Sequence, residues 1–466
     1  MAETSTKLRR GFDPALLPSV LRLAWPTMLE ELMQTAVQYI DTAMVGALGT
    51  AATAAVGATT TINWLIICLL SACGIGFLSV ISRASGAGDA KLVRHASAQA
   101  VLMVLMAGGA LTVLTTVCSP FVPVWMQVDR PIRAMAGQYF LILYLPTLFR
   151  AASIIFGTVL RSVGDVKTPM RAGIAANILN VILNLLLIFP TRDVRLFGRA
   201  FRLFGLGWGV AGAAAASAVS YTLAGVIITA ALWRHPALSP KGIRLRPDGS
   251  VLRPWWKVTL PLALQQLATC LGYIVFAAVI NALGEISAAA HTIANTVESA
   301  FYIPGYGMQN AAATLTGTAV GARDRARLRA LGHTIRAVEV ALMLLSGGLL
   351  FAFAPAMVRL FTRSGEAIAL GSTVLRMVAC SEPFYGVSIV TEGMLQGAGR
   401  TQIPLRYSLI GMWGVRIVGT FLCTRVLGLG LVSAWGCMIA NNLLVFLLYL
   451  RLLLRGGTDR LIPAEP

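Results

Sequence analysis

The sequence predicts an all-α integral membrane protein, with twelve transmembrane helices in two pseudo-symmetric six-helix lobes. Three observations predict it. Hydrophobic residues make up 57% of the chain and charged residues only 12%, far from the balance of a water-soluble domain. Apolar runs recur at roughly the 20-residue length that crosses hydrocarbon as a helix. The chain also repeats itself at an offset of 235, with Pro26 answering Pro261 and Ala47-Leu48-Gly49 answering Ala282-Leu283-Gly284. Gly86-Ala87-Gly88-Asp89 answers Gly321-Ala322-Arg323-Asp324, and Leu160, Gly164, Pro169 and Arg171 answer Leu395, Gly399, Pro404 and Arg406 at the same offset. One register held that long is the mark of a duplicated unit. Duplicated membrane bundles commonly hold a transported substrate between their repeats.

The expected spans of the first lobe are 18–46, 55–81, 96–123, 132–157, 170–190 and 205–233. Those of the second are 257–283, 287–317, 332–355, 367–394, 403–427 and 429–454. None alternates as a membrane β-strand does. The first lobe thus occupies 18–233 and the second 257–454, with tails at 1–17 and 455–466. Residues 234–256 carry Arg234, Lys241, Arg244, Arg246 and Arg253 among four prolines, and read as a linker along the headgroups. Thr191–Phe204 has no counterpart of equal length near Arg425, so the first lobe gains an extra outer loop, expected as a hairpin.

The net charge of +19 raises the question of nucleic acid, but location answers it. With the N-terminus inside, inner segments hold 26 Lys and Arg against 9 in outer loops, while Arg150, Arg376 and Arg416 fall within helices. That asymmetry sets both termini in the cytoplasm of a plasma-membrane protein, its basic side on anionic lipid. No basic surface domain suggests nucleic acid. Residues 1–17 are polar, with Lys7, Arg9 and Arg10, and predict a cytoplasmic tail rather than a secretory signal. The seven cysteines and four histidines lack metal-site spacing, and no phosphate-binding loop is present. No enzymatic constellation and no cofactor are expected.

Pro26 followed by Asp41-Thr42-Ala43-Met44-Val45-Gly46 and Leu48-Gly49 resembles the first helix of MATE transporters, the multidrug and toxic-compound extrusion exporters. Gly86-Ala87-Gly88-Asp89, Leu160–Asp165 ending at Thr168-Pro169, Ala290-His291 and Leu395–Gly399 agree with it in order. The likeness covers about residues 18–454 and is nearest to bacterial and archaeal, DinF-like members. It implies the fold of that family and its MOP superfamily. It also implies an antiporter that exchanges H+ or Na+ for organic, cationic or amphipathic compounds, working as a monomer. The alternative within the superfamily is a flippase of lipid-linked oligosaccharides, and outside it a non-transporting scaffold or receptor.

An ionisable group inside a bilayer is a functional candidate by default. Asp41 is the first such candidate, following Gln34 and Gln38 on the first helix. The competing reading places it in the outer headgroup zone. Asn177, Asn180 and Asn184 share one face of the fifth helix, either as partners of Asp41 or as glue between helices. The resemblance implies a cation site from Asp41, Asn180 and Ser217. It takes Na+ or a proton, with Asn184 tuning Asp41 where many proton-coupled relatives carry a second Asp. In the second lobe Thr269 and Tyr385 stand where sodium-coupled relatives carry acids, so that branch's sodium site is not expected. Glu298, Glu382 and Glu392 are the second lobe's candidates for coupling or the cavity, against the alternative that Arg376 or Arg416 neutralises the last two. Glu339, after Arg336, reads as interfacial. Glu31 and Gln34 share the face of Asp41, a stripe that either draws in a cationic substrate or snorkels. Pro26, Pro146, Pro261, Pro304 and Pro383 are expected inside helices, with Pro26 and Pro261 as hinges or static kinks. Tyr302, Tyr306 and Tyr385 belong to a Met and aromatic set that lines a tolerant pocket or merely packs.

Overall fold

The computed structural model describes residues 12–196 and 199–456. The tails outside these bounds, including Lys7, Arg9 and Arg10, lie outside the described residues. The chain is helical almost throughout. Helix α1 spans Leu17–Gly46 and α2 Thr50–Gly86. Helix α3 (Ala90–Met103) continues through one wide π turn, Val104–Gly108, into α4 (Gly109–Cys118), and a short α5 (Val122–Trp125) follows. Helices α6 (Arg130–Tyr144) and α7 (Thr147–Ser162) meet at a bend of 48°. Helix α8 (Lys167–Leu187) leads into strands β1 (Pro190–Leu196) and β2 (Arg199–Leu206), then α9 (Gly209–Arg234). Then come α10 (Gly249–Asn281), α11 (Glu285–Gly321), α12 (Arg325–Arg359), α13 (Gly365–Ala379) and α14 (Glu382–Gly397). Helices α15 (Gln402–Leu409) and α16 (Val418–Phe421) are joined and followed by π turns at Ile410–Ile417 and Leu422–Val426, and α17 (Leu431–Gly456) ends the described chain.

Each expected span overlies one helix or one run of consecutive helices. By length and composition, eight helical runs are apolar enough to cross a membrane, or nine if the bent α6–α7 pair counts as one. The expected spans outside that count are α1, α11 and the α13–α14 pair. These carry Asp41, Glu298 and Glu382, and the acids lower the hydropathy of the segments that hold them.

The repeat persists in the backbone. Positive φ recurs at Gly49 and Gly284 (113° and 107°), at Gly164 and Gly399 (90° and 78°), and at Gly88 and Arg323 (74° and 54°). At Arg323 the same turn forms without a glycine, although a side chain there is disfavoured. The break between α6 and α7 at Leu145-Pro146 recurs at the same offset as the break between α13 and α14 at Cys380-Ser381. Pro146 and Pro383, expected inside helices, stand instead at this break and in the first turn of α14. A missing N–H costs nothing at a helix start, because that donor has no partner there anyway. Pro26, Pro261 and Pro304 do lie within helices. The expected extra hairpin is the antiparallel pair of β1 and β2, running from Pro190 against Leu206 to Leu196 against Arg199.

By internal contact the chain divides into two compact units. One comprises residues 32–77 and 90–253. It packs α8 and α7 against α9, with a core around Val45, Ala52, Ile188, Val210 and Ala213. The other comprises residues through 31, 78–89 and from 254 onward. It packs α11 against α14 and α12, with Leu315, Leu331, Val390 and Met394 in one core and Phe276, Leu350, Leu375 and Trp435 in another. Helix α1 therefore contributes its residues through Glu31 to the second unit and those from Leu32 to the first. In the second unit the Thr27 hydroxyl, next to Pro26, donates to the Gly307 carbonyl at 2.8 Å. A Cβ at Gly307 would stand 2.5 Å from Met28 Cα, so the backbones touch where Pro26 interrupts α1.

Candidate functional site

In the first unit the predicted polar residues converge. Asp41 sits near the end of α1, Asn180 and Asn184 one turn apart on α8, and Ser217 on α9. The Asn184 Nδ2 donates to Asp41 Oδ1 at 2.5 Å and to Asn180 Oδ1 at 3.0 Å. The Asn180 Nδ2 donates in turn to Ser217 Oγ at 3.2 Å. Asn180, Asn184 and Ser217 are buried and Asp41 is half-buried. Small residues allow this approach. A Cβ at Gly212 would lie 2.5 Å from the Leu187 carbonyl oxygen, so α9 rests directly on the end of α8.

One carboxylate, two amide oxygens and a hydroxyl form a set of hard oxygen donors, suited to Na+; the carboxylate alone suits a proton. The Asn184 Oδ1 is buried and has no donor among the described residues. It is an acceptor without a partner beside the acid. Asn177 is half-buried on α8 and joins none of these bonds, and Gln34 and Gln38 are exposed on α1.

The same unit also holds a cluster that sequence reasoning missed. Asn63 Oδ1 accepts from the Tyr144 hydroxyl and from Arg150 Nη1, both at 2.8 Å. The Arg150 guanidinium lies 4.5 Å from the centre of the Tyr221 ring. Buried arginine without an acid is held here by an amide oxygen and aromatic faces. The signal available in the sequence was Arg150 itself, a charge within an apolar span.

The second unit holds the other candidates. Tyr302 meets Tyr306 and Tyr385 edge to face, at centroid distances of 5.8 and 5.7 Å, and the Tyr306 and Tyr385 hydroxyls are 3.1 Å apart. The two positions noted for missing acids are otherwise engaged: Tyr385 in this cluster, and Thr269 with its hydroxyl 3.2 Å from that of Ser408. Glu392 is not neutralised by arginine. Its Oε1 accepts from Gln265 Nε2 at 3.0 Å and Gln396 Nε2 at 3.1 Å. Glu382 has no arginine partner either. Arg376 points to the Phe351 carbonyl, and Arg416 lies over Phe276 and Tyr273. His95 on α3 pairs with Asp248 of the linker at 3.9 Å. Glu298 is buried, as is Glu339, which was expected at the interface. Arg336 beside it misled the reading, because glycines on α11 and α14 make room for the Glu339 side chain inside the unit. Glu31 is half-buried on α1. Among the described residues no group of His, Cys, Asp or Glu has metal-holding geometry.

Known proteins are similar to this chain in sequence and in fold. The probable multidrug resistance protein NorM of Thermotoga maritima is 26% identical over 448 residues, covering 96% of this chain and 94% of its own. The solved outward-facing conformation of a multidrug resistance MATE family transporter of the MOP superfamily matches with a TM-score of 0.87 at 22% identity, over 99% of each chain. A MOP superfamily transporter from Pyrococcus furiosus, described by a binding pocket of reverse polarity that suggests a different function, matches with a TM-score of 0.85 at 23% identity over 100% of each chain. The MatE family model matches residues 26–186 and 261–422, two segments that open on the repeated prolines Pro26 and Pro261. Duplicated helices, buried intramembrane acids and this two-part match lead to one conclusion: the chain belongs to the MatE family of membrane transporters.

Proposed function

We propose that this chain is a secondary active multidrug efflux transporter, an antiporter that takes in H+ or Na+ and exports organic cations or amphipathic compounds by alternating access. The observation that carries the reading is the run from Asp41 through Asn184 and Asn180 to Ser217. An acid kept inside an apolar bundle, solvated by amides rather than by a basic partner, is a group whose charge changes when a cation arrives. The multidrug resistance names of its relatives support the same reading. Tyr302, Tyr306 and Tyr385 offer ring faces and edges to a flat organic cation. Within this reading the protein works as a monomer in the plasma membrane, with both termini cytoplasmic and no cofactor.

The test is dye efflux from proteoliposomes under an imposed H+ or Na+ gradient. The parent chain is expected to export dye when one gradient is applied, and Asp41→Asn is expected to abolish that export while folding normally. Unaltered efflux in the variant would sink the coupling role of Asp41. Dye movement indifferent to both gradients would favour the lipid flippase.

A further inference from the structure

The second unit gathers three acids that the Asp41 site does not use. Glu298 on α11, Glu339 on α12 and Glu382 on α14 are 5%, 0% and 1% exposed. Both other acids lie within Coulombic reach of Glu382. Glycines shape the places these side chains occupy. The Glu339 Oε1 would stand 2.8 Å from a Cβ at Gly305 on α11 and 3.0 Å from one at Gly386, one turn after Glu382 on α14. The Glu382 side chain in turn lies 3.3 Å from where a Cβ would be at Gly347, two turns after Glu339 on α12. Glu339 and Glu382 are lodged where neighbouring helices have no side chain.

The surroundings offer Glu339 and Glu382 no counter-charge. Neither oxygen of Glu339, and neither of Glu382, has a hydrogen-bond donor among the described residues. Arg416 is the basic group acting on Glu298, yet it is buried against the rings of Phe276 and Tyr273, with its own Nε unpartnered. Arg336, one turn before Glu339, has its Nη1 buried without a partner. Arg376 on α13 is spent on the Phe351 carbonyl. His291 on α11 is packed edge-on between Phe276 and Trp435. The remaining titratable neighbours are tyrosines, Tyr273, Tyr302, Tyr306 and Tyr385. One cation therefore acts on Glu298, and none acts on Glu339 or Glu382. An unpaired ion in such a setting costs several kcal/mol, whereas a neutral carboxylic acid does not carry that penalty. Among the described residues no group of His, Cys, Asp or Glu has metal-holding geometry, and a proton neutralises a buried carboxyl group without needing further ligands.

We propose that Glu298, Glu339 and Glu382 form a second proton-binding site, separate from the Asp41 site, that loads and releases protons during transport. On loading, one oxygen of a carboxylate forms an O–H bond with a proton from hydronium, whose own O–H bond breaks to leave water; on release the acid's O–H bond breaks and water takes the proton back. The transport part of this proposal rests on the proton-coupled reading above; proton binding itself does not.

The test begins with infrared titration of the full chain in lipid nanodiscs. The carboxylic-acid C=O absorption is expected at neutral pH and is lost on raising the pH. Glu339→Gln and Glu382→Gln, which keep side-chain shape, are each expected to lose part of that band, a part that Asp41→Asn retains. In proteoliposomes the same two variants are expected to move fewer protons per exported dye than the parent. A parent chain without the band, or variants with its full amplitude, would overturn the proposal even if gradient-driven efflux holds. Unchanged proton counts per dye would overturn its role in transport. A parent that shows the band and its loss in both variants, but no gradient-driven efflux, upholds the proton site and sinks the function proposed above.

Discussion

Asn184→Ala isolates the amide at the centre of the first unit's polar run. In the structure its Nδ2 serves two acceptors, Asp41 Oδ1 and Asn180 Oδ1. Alanine removes both bonds at once and leaves Asn180 joined only to Ser217. The bond to Asp41 joins two helices, and such contacts in a bilayer average about 0.6 kcal/mol and reach about 1.7; the bond to Asn180 lies within α8 and adds about 0.2–0.5, so the pair contributes about 1–2 kcal/mol. Asn177→Ala is the internal control, since Asn177 lies two turns earlier on the same helix and joins none of these bonds. The assay is thermal unfolding of both purified variants in one detergent, followed by dye efflux under an imposed gradient. Asn184→Ala is expected to lower Tm clearly more than Asn177→Ala. Its gradient-driven efflux is expected to fall by roughly tenfold, the effect of about 1.4 kcal/mol. Equal Tm values for the two variants would refute the reasoning, because the bonds would then contribute nothing that the helix face does not.

The other predictions address packing, the buried guanidinium and the linker. Gly307→Ala sets a Cβ 2.5 Å from Met28 Cα and is expected to cost about 1–3 kcal/mol by overpacking, whereas Gly348→Ala, with nothing within 4 Å, is expected to be close to neutral; equal Tm shifts would refute this. Arg150→Lys keeps the charge but loses the flat stack on Tyr221 and is expected to cost about 1–2 kcal/mol in unfolding experiments. In the linker, Arg94 donates to the carbonyls of Ser239 and Lys241, and Gln99 to that of Arg246, while Asp248 is joined by Ser250 and His95. Hydrogen bonds from Ser250, with the charge of His95 as a smaller cause, hold the Asp248 carboxyl below the ordinary aspartate range. A depressed carboxyl stabilises above its unfolded value of about 3.9 and loses that contribution as pH falls through the folded one. Proteolysis of residues 239–248 is therefore expected to be slow at pH 7 and to quicken only below about pH 4. In Asp248→Asn it is expected to be quicker at neutral pH too.

Much of the first unit's site was legible because its signal is local. Asp41 is an acid in an apolar span, and Asn180 and Asn184 are one helical turn apart on a face that must find partners. Ser217 was reached through resemblance alone, since a hydroxyl in a run of alanines carries no periodic signal. The second unit was less legible. Glu382 and Glu392 stood out as charges, but whether Arg376 or Arg416 neutralised them depends on rotamers and helix rotation. The structure turns Arg416 onto aromatic rings instead. Glu339 was misread because Arg336 precedes it by one turn, and sequence spacing does not say which way a helix face points.

The sequence by itself determined the class, the duplication and the acids. Hydrophobic length, a constant offset of 235 and the rarity of charge within apolar spans are properties of the string, and they survive any packing. Gly49 and Gly284, paired by that offset, also share a positive φ, at 113° and 107°. Only the tertiary structure decided which polar groups meet. It joined Asp41 to Asn184 across 143 positions, and it lodged Glu339 against glycines of α11 and α14. It also divided α1 between two units after Glu31. The physical reason is that burial in a bundle is shared among helices far apart in sequence. A carboxyl group's charge then depends on donors and cations that other helices bring to it, or fail to bring.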